Sequence, residues 1–194
     1  MKAHTRNWVI IFTLLLLMLF TRFNHFGSSI SFPDASLAVF LLGGFLLARF
    51  VRLSLTIFAL FLLEAGAIDY YATQFAGISD WCITPAYWFL IPTYATMWLA
   101  GHWLALRSHK TFGDLALFGG ITCLATSVAF VISNGSFYLL SGRYTEMTFS
   151  EYAVYVTKYY PPYLSGSLLY IALAAIIYML LSSQSKISTS ARTG

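Results

Sequence analysis

The chain has 194 residues, of which 59% are hydrophobic and only 9% are charged. Soluble domains are about half apolar and about a quarter charged, so this composition indicates a protein whose solvent is the lipid bilayer. The net charge of +4 comes from Lys and Arg residues that are dispersed along the chain, which argues against nucleic-acid binding. The 2 cysteines exclude a disulfide scaffold, because they can form at most one bridge.

Six apolar segments are long enough, or nearly so, to cross a bilayer as helices. They leave no room for a separate soluble domain. The sequence therefore predicts an all-α integral membrane protein, with a single six-helix transmembrane domain over residues 1–181 and a polar, disordered cytoplasmic tail over 182–194. The predicted spans are 8–20, 35–48, 53–68, 83–106, 115–132 and 164–181.

The first two spans have features that bear on cleavage and on topology. The first follows a basic start, as a signal peptide would, but bulky residues (TRFNHF, 21–26) stand where a cleavage site needs small ones, so we expect it to be retained. The second span follows Pro33 and Asp34, a favourable helix start because Asp can accept hydrogen bonds from free N–H groups. Its Gly43-Gly44 pair predicts close contact with another helix. If residues 35–48 did not cross the bilayer, the orientation of every later span would be reversed.

The basic residues predict the orientation of the chain, because Lys and Arg next to short loops resist translocation. With the N-terminus inside, eight of them lie on the cytoplasmic side and three on the outer side. Both termini are therefore expected in the cytoplasm. The inner residues are Lys2, Arg6, Arg49, Arg52, Arg107, Lys110, Lys186 and Arg192, and the outer ones are Arg22, Arg143 and Lys158.

Aromatic residues mark two further features. The fifth loop, 147–162, is rich in Tyr and Phe, so we expect it to fold onto the helices. On the fourth span, Tyr87, Tyr94 and Trp98 repeat at intervals of seven and four, which places them on one helical face. Ordinary packing is favoured for this face over a wall for a flat ligand.

The loop between the third and fourth spans holds the strongest candidate for chemistry, Cys82. At a helix start, the helix dipole lowers the pKa of a thiol and favours the thiolate, which binds metals or attacks electrophiles. The alternative is a small buried hydrophobic residue, as most free cysteines are. His102 lies about 30 Å further along the same span and Cys123 about 13 Å deep in the fifth, so neither can assist Cys82. Only His25 shares its side of the membrane.

A lone thiol cannot build a structural zinc site, which needs four ligands. It can serve a metal that is already held by a macrocycle and needs one or two axial ligands. Separately, Glu64 lies within the third span, where a carboxyl group is expensive in lipid. For Glu64, a functional role and a position just inside the interface both remain open.

Two outer stretches of the sequence resemble a known family. The first is TRFNHFG (21–27), which leads to PDAS (33–36), and the second is DWCITPAY (80–87). The family that they resemble is BtuM. The members are solitary cobalamin-binding S-components related to energy-coupling factor transporters of Gram-negative bacteria. The resemblance also covers the size of the chain and the number of spans. It implies uptake of cobalamin across the bacterial inner membrane, from a pocket that opens to the periplasm.

The resemblance implies further that the thiolate of Cys82 is an axial ligand to the cobalt of cobalamin and that cyanide can be removed from cyanocobalamin there. Cys82 is thus the candidate metal ligand and the candidate catalytic residue. Asp69, Asp80, Tyr87 and Arg143 are candidates for polar contacts to the corrin, inferred from their outer location. The first span lacks a small-xxx-small pattern for docking to an energising module. Because the sequence contains no P-loop, any ATP must be hydrolysed by a partner.

Two other functions remain open. A membrane cysteine transpeptidase or protease of the exosortase type would use Cys82 as nucleophile with Arg143 and His25. A purely structural subunit of a membrane complex would need none of these residues. The first alternative predicts that replacing His25 abolishes activity, and the second predicts little effect of replacing Cys82.

Overall fold

The structure is a computed structural model that describes residues 3–25, 32–48, 51–107 and 112–193. These residues form α-helices and two short 3₁₀ helices, and no strand occurs among them. Each of the six predicted spans coincides with a helix. The α-helices are α1 (Ala3–His25), α2 (Ser36–Leu46), α3 (Val51–Phe75), α4 (Leu90–Ala105), α5 (Phe112–Leu140), α6 (Phe149–Val156) and α7 (Tyr160–Thr193), and the 3₁₀ helices are Pro85–Phe89 and Thr157–Tyr159.

The long helices carry an apolar outer surface. Four stretches are long and apolar enough to cross a membrane, namely Thr5–Phe23, Ser54–Phe75, Ala116–Leu140 and Phe149–Ile177. Side chains such as Leu55 and Leu139 are 80% and 75% exposed. So much apolar surface is stable only against lipid or another protein. The chain is therefore an all-α membrane protein, as predicted.

Helix α2 is the buried centre of the bundle. It has only 11 residues, about 16 Å of helix, which is roughly half the thickness of the hydrocarbon layer. Nine consecutive residues, 36–44, are buried. A helix that is apolar on all sides is suited to such a position. Non-helical backbone next to a short helix is tolerated at membrane depth only where protein surrounds it.

The chain alternates in direction despite the short α2. The last turns of α1 and α3 lie side by side, with the rings of Phe23 and Tyr71 6.0 Å apart. The chain between them must therefore return to the opposite end, and α2 lies in this connection. The 3₁₀ helix before α4 begins beside the end of α3, where Tyr87 contacts Asp69. We call this the outer end, after the predicted orientation.

Helices α2 and α4 make the tightest contact. A Cβ atom added to Gly44 would lie 2.1 Å from the carbonyl oxygen of Trp98, and one added to Gly101 would lie 2.0 Å from that of Leu41. At Gly43, the added atom would meet the Trp98 ring at 2.6 Å. The close contact predicted for Gly43-Gly44 is confirmed, and Gly101 provides its counterpart on α4.

The aromatic fifth loop folds onto the helices, as predicted. Tyr152 of α6 is 3% exposed, and its hydroxyl donates to the carbonyl oxygen of Asn134 at 3.0 Å. Its ring packs 4.8 Å from the ring of Tyr138 on α5. Thr148 and Glu151 form a reciprocal capping box at the start of α6, which satisfies free N–H groups there.

Helix α7 is the longest of the helices, with 34 residues. Helix α7 continues to Thr193, through residues for which a disordered tail is predicted. Between Gly166 and Gly194 the sequence has neither Gly nor Pro. No residue in this stretch therefore breaks a helix by its backbone chemistry.

The α2–α4 contact can be tested with Gly44→Ala and Gly101→Ala. We expect each to lower the free energy of unfolding by about 1–3 kcal/mol, because the new methyl group must push two backbones apart. Thermal denaturation of the detergent-solubilised protein measures the effect. Gly119→Ala is the matched control, since a Cβ at Gly119 meets nothing within 4 Å among the described residues. Equal stability of all three variants would contradict the close crossing.

Candidate site at the outer end of the bundle

A buried ion pair joins α1 to α3 at the outer end. Arg22 Nε donates to Asp69 Oδ1 at 2.7 Å, and Arg22 Nη2 donates to Asp69 Oδ2. Both side chains are 8% exposed. This two-bond geometry is the strongest form of an Arg–carboxylate contact. Burial makes it necessary, because an unpaired charge at this position would carry a large desolvation cost.

The same guanidinium also reaches α2 and α4. Arg22 Nη1 donates to Asp34 Oδ2 at 3.3 Å, to Ser36 Oγ at 3.0 Å and to the hydroxyl of Tyr94 at 2.7 Å. One cation on α1 therefore contacts three other helices and two carboxylates. We call Arg22, Asp34, Ser36, Asp69 and Tyr94 the Arg22 network.

The Arg22 network satisfies the backbone where α2 begins. Asp34 Oδ1 accepts from the N–H of Ser36 at 2.9 Å and from its hydroxyl at 2.6 Å. The N–H of Ala35 donates to Thr21 Oγ1 at 3.2 Å. The first N–H groups of a helix lack partners within the helix, so these acceptors stabilise the start of α2. The predicted role of Asp34 at this helix start is confirmed.

Asp69 and Tyr87, two of the predicted site residues, are in direct contact. The Tyr87 hydroxyl donates to Asp69 Oδ2 at 2.8 Å. Farther along α4, Tyr94 and Trp98 are 4% and 6% exposed, and the Tyr94 ring stacks on Phe40 at 4.2 Å. The packing interpretation is therefore confirmed for Tyr94 and Trp98, whereas Tyr87 binds the carboxylate.

Cys82 lies in the loop between α3 and the 3₁₀ helix Pro85–Phe89, and its side chain is exposed. A turn shapes this loop, because the N–H of Ile83 donates to the carbonyl oxygen of Asp80 at 2.7 Å. The next N–H, of Thr84, donates to the carbonyl oxygen of Cys82 at 3.1 Å. The expectation that Cys82 begins a helix is wrong, because the helix begins three residues later, at Pro85.

The electrostatics of Cys82 also differ from the prediction. Partial burial among its neighbours raises the pKa of the thiol, and the negative charge of Asp69 raises it further. The cation of Arg143 acts in the opposite direction. Because no full α-helix starts at Cys82, no helix dipole offsets the desolvation. The thiol is therefore mostly protonated in the free protein.

Arg143, from the loop between α5 and α6, is brought to the Cys82 loop by a cation–π contact. Its guanidinium carbon lies 4.3 Å from the centre of the Trp81 ring. Asp80 is in the same loop, and its residue surface is exposed. The structure thus gathers all five predicted site residues at the outer end. Asp80 and Arg143 lie at the loop that holds Cys82, and Asp69 and Tyr87 lie behind this loop.

One hydroxyl near Cys82 has no hydrogen-bond partner among the described residues. Thr84 Oγ1 is buried and unpaired, and the N-cap position of the 3₁₀ helix that it occupies has no side-chain cap. A buried hydroxyl without a partner carries a free-energy cost that a ligand or water can remove. Thr84 is therefore a polar group next to Cys82 whose hydrogen bond is not provided by the described residues.

Sequence reasoning missed Arg22 and Ser36 as parts of the site. The available signal was an arginine at the outer end of an apolar segment, together with Asp34 and Asp69 on the same predicted side. A charge inside a span needs a partner, but the sequence does not say which. His25 ends α1, and its side chain lies outside the described residues. Within the described part of the chain, no three His, Cys, Asp or Glu residues group as metal ligands.

The importance of the Arg22 network can be tested with Arg22→Met. The substitution keeps the apolar stem and leaves two carboxylates without their cation, so we expect a loss of about 3–5 kcal/mol in the free energy of unfolding. Thermal denaturation in detergent measures it. Arg6→Met removes an exposed arginine from the same helix and should change stability little. Equal effects of the two substitutions would contradict a central role for the network.

The thiol chemistry gives a second test, in a Cys123→Ser background. At neutral pH we expect iodoacetamide to alkylate Cys82 more slowly than a free thiol, with a rate that rises as alkaline pH increases the thiolate fraction. Arg143→Gln removes the nearby cation and should slow the reaction about twofold to fivefold, the effect of a surface charge interaction of up to about 1 kcal/mol. Arg107→Gln, at the other end of α4, is the control. Faster alkylation of the Arg143 variant would contradict this electrostatic picture.

Comparison with known proteins does not assign the chain to a family. No protein-family model matches the chain, and no curated protein is significantly similar to it. What the site can bind therefore follows from its own side chains: an exposed thiol, a guanidinium stacked on an indole, an unpaired hydroxyl, and a carboxylate held in place behind them.

Proposed function

We propose that the chain binds cobalamin at the outer end and serves its uptake across the bacterial inner membrane, with Cys82 as an axial ligand to cobalt. The observation that carries the proposal is the exposed thiol of Cys82 beside the Trp81–Arg143 pair. A thiolate is a soft ligand that suits a transition metal. Cobalamin brings its cobalt already held by the corrin, so one protein ligand is enough.

The surroundings of Cys82 support a large, partly flat ligand. Trp81 and Ile83 are each 47% exposed, and Trp88 is 73% exposed. These apolar surfaces suit a corrin face, while the N–H groups of Arg143 can donate to its amide oxygens. Such a ligand would cover the loop from outside the bundle.

The raised pKa of Cys82 is compatible with cobalt ligation. A thiol that binds a metal loses its proton on binding, so the free protein can hold it protonated. The proton is released when the bond to cobalt forms, and binding should therefore strengthen as pH rises. The negative charge of Asp69, which Arg22 and Tyr87 hold in place, disfavours a thiolate at Cys82 in the free protein. The positive charge of a bound cobalt ion would offset this repulsion.

Transport needs an energy source that the chain itself does not encode as a P-loop. An energising module of the energy-coupling factor type would be the partner that hydrolyses ATP. The first helix presents bulky exposed residues, among them Trp8, Phe12 and Phe20, instead of the small residues that allow close helix docking. Binding of cobalamin is therefore the part of the proposal to test first.

The test is the absorbance spectrum of the purified protein after incubation with cobalamin and removal of free ligand. We expect a corrin spectrum shifted from that of free cobalamin in the native protein. The shift should be lost in Cys82→Ala and kept in Cys123→Ser, because a change of axial ligand alters the electronic transitions of cobalt. Cys123 lies on α5 and is the matched control, as the other free cysteine.

Two outcomes would overturn the proposal in different ways. Absence of corrin from the native protein would reject cobalamin as the ligand. A spectrum that is unchanged in Cys82→Ala would keep cobalamin and reject the cobalt–thiolate bond. Measuring the affinity for cobalamin between about pH 6 and pH 9 adds a check. An affinity that depends on release of the thiol proton should rise across this range.

A further inference from the structure

Glu64 lies at the middle of the third transmembrane helix. The apolar stretch that contains it is Ser54–Phe75, so Glu64 is about 15 Å from one end and about 16 Å from the other. This central place in the apolar stretch favours a functional role over a position just inside the interface, the two alternatives left open by the sequence. A carboxyl group so far from both ends of an apolar stretch is expensive in lipid unless it is neutral or paired.

The described residues give this carboxyl group no cationic partner. Glu64 Oε2 is buried and has no hydrogen-bond partner among them. The nearby side chains of α1 are Leu19, Phe20 and Phe23, which are all apolar. Helix α2 carries no titratable residue. Arg22, on the neighbouring helix α1, is committed to Asp69 and Asp34.

An open groove leads to Glu64 from the side of the bundle. It lies between α1 and α3 and has a volume of about 490 Å³. Its rim includes Phe20, 62% exposed, and Tyr71, 53% exposed. Tyr71 is the other titratable residue in the lining. The lining residues are Leu19, Phe20, Phe23, Glu64, Ala67, Ile68 and Tyr71.

We propose that Glu64 is a proton-binding site in the middle of the membrane, holding a proton at neutral pH and reached from the bilayer through the α1–α3 groove. An ionised carboxylate at this depth, without a cation, costs several kcal/mol, whereas the protonated acid is neutral. The ligand of the site is the proton itself. The site is separate from the Cys82 loop and does not depend on cobalamin.

A hydrophobic carbodiimide tests the proposal directly, because it partitions into lipid and reacts with protonated carboxyl groups. The carboxyl oxygen adds to the central carbon of one C=N bond and the proton moves to nitrogen, which gives an O-acylisourea. Transfer of the acyl group from oxygen to nitrogen then gives a stable N-acylurea that retains every atom of both reactants. The probe is N,N′-dicyclohexylcarbodiimide, added to the full chain in liposomes without cobalamin. We expect one adduct by intact mass, mapped to Glu64 by peptide analysis.

Matched variants and a second reagent sharpen the result. Glu64→Gln should lose the adduct, and Glu146→Gln, in an exposed outer loop, should keep it. A water-soluble carbodiimide should label Glu64 at least tenfold more slowly than the lipophilic one. Labelling by the lipophilic reagent should decline at alkaline pH, as the carboxyl group loses its proton.

The outcomes separate cleanly. A native protein without an adduct at Glu64, or equal labelling by the two reagents, would overturn the proposal. Because peptide mapping locates the adduct in the native chain, the result stands even if a variant folds poorly. Glu64→Gln should also keep the thermal transition of the native protein, since the amide matches a protonated acid in size and charge. A large loss of stability would instead indicate an ionised Glu64 with a cationic partner.

Discussion

The fold depends on one requirement, that a guanidinium buried in a membrane bundle must have its charge and its donors satisfied. Arg22 meets this requirement with Asp69 on α3, Asp34 and Ser36 at the start of α2, and Tyr94 on α4. No single pair of helices could provide these acceptors. The ion pairs therefore determine how four elements meet at the outer end, and apolar packing fills the space below.

The position of α2 follows from this arrangement. A helix of 11 residues cannot reach across the hydrocarbon layer, so its ends must be satisfied inside the protein. Asp34 satisfies one end of α2 and also the charge of Arg22, because it accepts from the first free N–H group of α2 and pairs with the guanidinium. Below that point, the close approach of Gly44 and Gly101 lets α2 lie against α4 along its length. A buried ionic end and a glycine-lined contact thus hold one short helix at the centre.

The same arrangement links the core to the candidate site. Asp69 is oriented on one side by Arg22 and on the other by Tyr87, and its charge acts on the Cys82 thiol. Trp81 and Arg143 then connect the Cys82 loop to the segment that follows α5. Glu64 differs from all of these groups, because it has an apolar groove where Asp69 has a cation. Two carboxyl groups five residues apart on one helix therefore have opposite electrostatic surroundings.

The sequence by itself determined the membrane class, the six apolar segments, their alternation and the gathering of Cys82, Asp69 and Tyr87 at one end. Hydrophobic length and alternating direction are properties of the chain alone, which is why these predictions hold. Only the tertiary structure decided that Arg22 pairs with both aspartates, that α2 is short and central, and that the surroundings of Cys82 raise its pKa instead of lowering it. These results depend on which side chains meet across helices and on how much water they lose there, and neither can be read from spacing along one helix.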